Sequence, residues 1–231
     1  MSEASATALR QQLAWTCWPA IGYITEMSNI QISSVMHPFE TDDLYPRATR
    51  LLRRADAMGL LDEPIRELST EAMRKVARKL SQQGLAGDLA ARLTTGKPSA
   101  SDLSRYLDAA LLALEESPVP AAELTRLNAT LGHELLSGLL EISAASLQRY
   151  QSGERQVPDV IAERAHYLTS VTSALEGIYN EFGVRRWFER PRSTFSGKSA
   201  RQLLGRDWIP TGEAAHRILA AAESLADLGA T

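Results

Sequence analysis

The sequence predicts a mainly α-helical fold, on three observations. Alanine and leucine are abundant while aromatic residues make up 6% of the chain, a balance that favours helices over a sandwich or barrel. Apolar residues recur three and four apart along much of the chain, the period of a helix with one buried face. Hydroxyl residues, glycines and prolines stand at the ends of those stretches, where helices start and stop. With 44% hydrophobic residues over 231 positions, the chain has material for one large domain or two small ones.

The first sixty residues carry the weakest pattern. Pro19, Pro38 and Pro46 interrupt them, and Ile21, Ile24, Ile30, Ile32 and Val35 supply short β-favouring stretches. A small strand or hairpin near Tyr23 to Val35 fits, as does an irregular loop at Asn29. Arg47 to Leu60 reads as a helix with Leu51, Leu52, Ala55 and Met58 on one side and Gly59 near its end. Ser69 to Leu80 repeats the pattern through Met73, Val76, Ala77 and Leu80, and Gly84 stops it. Arg74, Lys75, Arg78 and Lys79 crowd that segment and read most simply as a solvated outer face. Thr94 to Ser99 is a loop; Lys97 precedes Pro98, so the glycine spacing and hydroxyl of a phosphate cradle are missing. Ser99 and Asp102 then have capping spacing and open a helix carrying Leu103, Leu107, Leu111 and Leu114. Pro118 and Pro120 end it and mark the expected boundary of a mostly helical N-terminal region, 1–118, with no assigned role.

The stretch Ile142 to Pro158, ISAASLQRYQSGERQVP, reads as the turn and recognition helix of a helix-turn-helix. A supporting helix through Leu131 to Leu140 places Leu135, Leu136 and Leu139 inward, with Gly138 permitting close approach of the next helix. Ile142 plugs the turn, Ser143 caps the recognition helix, and Leu147 and Tyr150 anchor it. Ala144, Ser146, Gln148, Arg149, Ser152 and Arg155 are left outward and, with Ser143, form the candidate DNA-binding set for base edges and phosphates. The helix N-terminus itself favours a nearby phosphate. Gly153 ends the helix. After Pro158 a long helix bears Ile161, Ala165, Leu168, Val171 (or Thr172), Leu175 and Ile178, a pattern that closes the bundle or builds a dimer face. The plainer alternative is a pair of short amphipathic helices joined by a small-residue turn.

As a whole this segment resembles the phage-repressor, or Xre, class of helix-turn-helix. Ser143, Ser146, Leu147, Arg149, Tyr150, Gly153 and Pro158 follow its outline, whereas Gln151 departs from the acidic residue often found there. From Phe182 to Leu228 the chain resembles the toxin-binding domain of the Xre/MbcA/ParS antitoxins: a helical tryptophan, a proline loop, a glycine and a short leucine-bearing helix. Trp187, Pro191, Phe195, Gly197, Leu203 and Leu204 fill those positions. Ala200 stands where the family often has proline, and Asp207 to Pro210 is not a close match. Ser196 and Gly197 open the short helix, which ends near Gly205. Thr211 is placed to cap a last helix with Ala214 (or Ala215), Ile218, Leu219, Ala222 and Leu225 inward.

The resemblance covers about residues 122–231. It implies a helix-turn-helix domain at 119–180 and a small α-helical toxin-binding domain at 181–231. It further implies an antitoxin that occludes the active site of a RES-domain, NAD-consuming toxin, forms a homodimer and represses its own operon by binding double-stranded DNA. Arg186, Trp187, Arg201 and Trp208 are the candidate toxin contacts, with ordinary core packing the alternative for each tryptophan.

Charge and the remaining chemistry exclude little and add little. Net charge is −3, but Arg185, Arg186, Arg190, Arg192, Lys198, Arg201 and Arg206 cluster against only Glu181 and Glu189, a surface for phosphates, for an acidic partner, or simply for solvent. Cys17 is alone, which excludes an intrachain disulfide and fits a reducing, cytoplasmic setting. Neither a membrane span nor a secretory signal is expected. His37, His133, His166 and His216 are dispersed without ligand spacing, Asp42 and Asp43 read as a solvated pair, and no nucleophile elbow occurs. No enzyme, cofactor or metal is therefore expected. A stand-alone regulator sensing a ligand through its N-terminal half, or a helical adaptor without DNA binding, are the competing readings.

Overall fold

The structure, a computed structural model, describes residues 28–87, 91–92, 98–176 and 178–229. Cys17, Pro19, Ile21, Tyr23, Ile24 and the Thr94–Lys97 loop lie outside the described residues. The protein is mainly helical, with ten α-helices and one two-stranded sheet among the described residues. No helix among them is long and apolar enough to cross a membrane.

The sheet pairs β1 (Ile30–Val35) with β2 (Ile65–Leu68) in parallel, and helix α1 (Leu44–Ala57) makes the crossover. The expected strand is present; among the described residues it pairs with β2 and no hairpin partner, and the parallel pairing needs the long connection that α1 supplies. Asn29 sets the start of β1 by donating from Nδ2 to Asp56 Oδ1 (3.0 Å) and to the Leu61 carbonyl (2.8 Å). Helix α1 begins before Arg47, with Pro46 inside its first turn. A missing N–H costs no intrahelical hydrogen bond there, so the proline does not break the helix. Gly59 follows at φ +71°, and a Cβ on it would lie 2.9 Å from the Ala122 carbonyl oxygen. Glycine is therefore required there twice over, by its backbone and by the close approach.

Helix α2 (Thr70–Gln82) is capped by Ser69, whose Oγ accepts the Ala72 N–H, and buries Met73, Val76, Ala77 and Leu80. Ser99 caps α3 (Ala100–Glu116) by accepting the Asp102 N–H, the expected pairing. Leu103, Leu107, Ala110 and Leu114 face inward from α3; Leu111 sits at the edge, half-buried. These faces meet Phe39, Leu51, Leu52 and Leu68 in a first core.

The second half is a bundle of α4 (Pro120–Leu131), α5 (His133–Leu140), α6 (Ala144–Gln151), α7 (Asp159–Glu176), α8 (Glu181–Glu189), α9 (Ala200–Leu204) and α10 (Glu213–Gly229). Helix α7 is central. Ala162, Ala165, Tyr167, Leu168, Thr169, Val171, Thr172 and Leu175 are all buried, with α4, α8, α10 and α1 packed around them. The long helix therefore fills the bundle and has no broad apolar face left over for a dimer. Ile161 is only half-buried and Ile178 is exposed. Helix α9 opens on a Ser199–Gln202 capping box, later than Ser196–Gly197, and Gly212, not Thr211, directly precedes α10.

A single core runs from Leu124 to Ala222, joining Leu136, Leu147, Leu168, Trp187, Phe195 and Ile218. This core spans the expected boundary at 180/181, with side chains of α4 to α7 and of the C-terminal helices in one cluster. The proline pair, by contrast, falls where the first core gives way to the second, between Leu114 and Leu124.

The two halves meet through polar groups. The Glu123 carboxylate, fully buried, accepts the Val119 N–H (2.7 Å) and the Thr169 hydroxyl (3.1 Å), and lies 3.0 Å from His166 Nδ1. His166 Nε2 in turn lies 2.9 Å from Arg54 Nη2, across the boundary, and 2.9 Å from the Glu115 carbonyl, so the ring links the two halves. Beside it Arg126 pairs with Glu176 (3.2 Å) and lies 3.8 Å from Asp56. Burial pushes the Glu176 carboxyl above its ordinary value, against the opposing pull of Arg126 and the Thr130 hydroxyl.

Candidate nucleic-acid interface

Helices α5 and α6 are joined by the tight turn Glu141–Ser143. Glu141 adopts the left-handed conformation at φ +56°, unusual for a residue with a side chain. Its carboxylate offsets the strain: Oε2 accepts from Arg164 Nη1 of α7 at 2.8 Å and from the Asp207 N–H at 3.0 Å. One acidic side chain thereby ties the turn to α7 and to the loop before α10. Sequence reasoning passed over Glu141, since nothing at this position announces a left-handed residue.

Ile142 is half-buried against the core, and Ser143 Oγ accepts the Ser146 N–H (3.1 Å) to start α6. Leu147 is completely buried and Tyr150 nearly so, so both expected anchors hold the helix from behind. Ser143, Ala144, Gln148, Arg149, Ser152 and Arg155 are exposed; Ser146 is half-buried, its hydroxyl accepting from Ser143 at 3.0 Å. Arg149 Nε donates only to the Ala145 carbonyl of its own helix (3.2 Å). The Arg155 guanidinium lies over the Tyr150 ring, 5.6 Å from its centroid. Among the described residues no carboxylate pairs with either arginine. Gln151 donates from Nε2 to the Leu124 carbonyl at 3.0 Å, tethering α6 to α4. A carboxylate in its place would have no proton to donate to that carbonyl.

Gly138 does not admit a neighbouring helix, as its position suggested. The group against it is the guanidinium of Arg201, and a Cβ would stand 2.9 Å from Nη2. Arg201 therefore leans onto the supporting helix, beside a groove of about 890 Å³ that also includes Glu141, Val160, Arg164 and Arg206.

The four candidate toxin contacts divide in two. Arg186 and Arg201 are exposed, and Arg186 stacks over the exposed Phe182 ring, 5.7 Å from its centroid. The tryptophans, however, are core residues and no surface anchors. Trp187 is 1% exposed, edge-on to Phe188 and Phe195, with Arg192 over its ring. Trp208 is 6% exposed, meets Tyr167 edge-on, and donates from Nε1 to the Leu139 carbonyl at 2.8 Å. The large apolar side chains that do reach the surface in this segment include Phe182 and Ile209, neither of which stood out in the sequence as a contact.

His37, His133 and His216 are exposed and apart, while His166 belongs to the polar cluster between the halves. No group of three metal-ligating side chains occurs among the described residues. No family model, curated protein or solved structure matches this chain.

Proposed function

We propose that this chain is a DNA-binding antitoxin: α6 reads its own promoter, and the segment from Glu181 onward engages a RES-domain toxin. The observation that carries the DNA reading is the two-sidedness of α6. Leu147 and Tyr150 are buried behind it, while Ser143, Ala144, Gln148, Arg149, Ser152 and Arg155 stay in solvent. A helix held this way enters a major groove with its N-terminal turn at a phosphate and Gln148 and Arg149 at base edges. Arg155, poised on Tyr150, suits a phosphate contact. A net charge of −3 does not oppose this, because the local field around α6 matters more than the total. A homodimer presents two such helices to paired half-sites. The toxin half of the proposal rests on the sequence resemblance of residues 182–228, with exposed Arg186 and Arg201 as its charged contacts. Both activities belong in the cytoplasm.

Arg149→Ala is expected to weaken specific binding to a promoter fragment by about 1–3 kcal/mol and to relax preference at one base position. Arg155→Ala is expected to weaken binding evenly across sequences and to lower the salt slope by roughly one. Fluorescence anisotropy at several salt concentrations reads both; unchanged affinity in both variants leaves the adaptor reading standing. For the second activity, co-purification with the neighbouring gene product, followed by NAD depletion with and without this chain, is decisive. Association with suppression supports the antitoxin, and no association removes it.

A further inference from the structure

We infer that His166 is a proton-operated latch between the two halves: its ring holds them together while both nitrogens carry a proton, and the hold weakens when one is lost. The ring stands midway along α7, its side chain 13% exposed. Its Nδ1 edge meets the Glu123 carboxylate of α4, with Oε1 at 3.0 Å and Oε2 at 3.2 Å. Its Nε2 edge meets the Glu115 carbonyl in the last turn of α3, at 2.9 Å, and a cation is favoured at a helix C-terminus. Neither neighbour has a proton to give. A main-chain carbonyl only accepts, and the two Glu123 oxygens already accept the Val119 N–H and the Thr169 hydroxyl. A neutral imidazole has one N–H, so its bare nitrogen would face an oxygen at hydrogen-bond distance. Two N–H groups satisfy both edges, and the resulting charge answers a carboxylate that is fully buried.

Arg54 of α1 does not contend for either edge. Its Nη2 lies 2.9 Å from Nε2 but also 3.5 Å from Nδ1. The lone pairs of the two ring nitrogens point apart, so a donor in line with one stands far from the other. An atom this near to both lies over the ring face. The guanidinium therefore stacks on the imidazole. Its charge opposes a second ring proton, but it is not unanswered: burial disfavours that charge, and the Glu123 and Glu115 carboxylates offset the burial in part. Glu115 also reaches Arg50 at 3.3 Å. Among the described residues α8 and α10, which pack on the same helix, make no ion pair or hydrogen bond with the ring. Arg126, Asp56 and Glu176 form their own group beside the Thr130 hydroxyl.

The direction of the effect follows from what unfolding removes. The unfolded chain holds neither the Glu123 carboxylate nor the Glu115 carbonyl against the ring, so the folded chain binds the second proton more tightly. Stability from the latch is then full in acid and falls as pH rises. The loss falls at the seam, because the ring joins α1 and α3 of the first half to α4 and α7 of the second. This inference does not rest on DNA or toxin binding, and its test uses neither.

Nitrogen-15 NMR of the histidine rings of the full chain, from about pH 5 to about pH 8, where imidazoles ordinarily change charge, is the first test. The exposed His37, His133 and His216 serve as internal references. One ring is expected to keep both protons at a pH where those three have each lost one. Four rings titrating together, or one ring already neutral where the other three are charged, would overturn the inference. Urea denaturation beside His166→Gln is the second test, since an amide can donate at one edge but does not titrate. The parent is expected to have the higher midpoint at about pH 5, with that advantage reduced by roughly half or more at about pH 8. An advantage that stays constant, or one that grows with pH, would equally overturn the latch. Should the variant fail to fold, the NMR of the parent chain decides.

Discussion

Trp187→Ala is expected to destabilise the protein by about 3–5 kcal/mol, the range for emptying a buried aromatic site. The indole is 1% exposed and has Phe188 and Phe195 edge-on at centroid distances of 5.3 and 6.0 Å. Its loss leaves a cavity bounded by aromatic rings that cannot collapse without moving α8. The same core holds Leu147 and Tyr150, so loosening it is expected to weaken the proposed DNA binding as well. Urea denaturation of the variant beside Arg186→Ala makes the comparison direct. Arg186 is exposed, and its removal is expected to shift stability by no more than about 0.5 kcal/mol. A Trp187→Ala protein as stable as its parent but defective in toxin binding would show that the indole works at the surface after all.

Glu123→Ala is expected to cost about 3–5 kcal/mol, by leaving buried charge and donors without an acceptor. The carboxylate is fully buried and serves the Val119 N–H, the Thr169 hydroxyl and His166 at once. Through His166 it also answers Arg54, whose guanidinium burial disfavours. Removing the acid takes the acceptor from the Val119 N–H and the carboxylate from His166 and Arg54, while the Thr169 hydroxyl keeps the Ala165 carbonyl at 3.0 Å. The double variant Glu123→Leu with Arg54→Met removes both charges together and is expected to recover part of the loss. Chemical denaturation of the single and double variants reads the difference. A single-variant cost below about 1 kcal/mol would mean that apolar contacts, not this cluster, hold the halves together.

Helices with a clean one-sided pattern and a capping residue were legible, because both signals are local. Ser69 and Ser99 cap α2 and α3, and Met73, Val76, Ala77 and Leu80 form the buried stripe of α2 as their spacing suggests. Leu147 and Tyr150 behave likewise on α6. Pattern reading failed where burial comes from several sides or from distant chain. Helix α7 is enclosed on most of its surface, so its apolar spacing did not reveal which face meets what. The partner of β1 lies a whole helix away at Ile65, which no short-range turn signal could indicate.

The candidate interface divides along the same line. Which side of α6 is apolar is written in three-residue spacing, so the positions of Leu147 and Tyr150 are enough to turn Gln148 and Arg149 outward. Whether Trp187 and Trp208 are anchors or core is a question of what stands opposite each ring. Phe195, Tyr167 and the Leu139 carbonyl provide the answer from remote positions. The Glu141–Arg164 tether, the approach of Arg201 to Gly138 and the burial of Arg54 beside His166 likewise arise only when separate helices pack. Periodicity determines the faces a chain will bury; packing alone decides which distant groups those faces meet and which polar atoms are left without a partner.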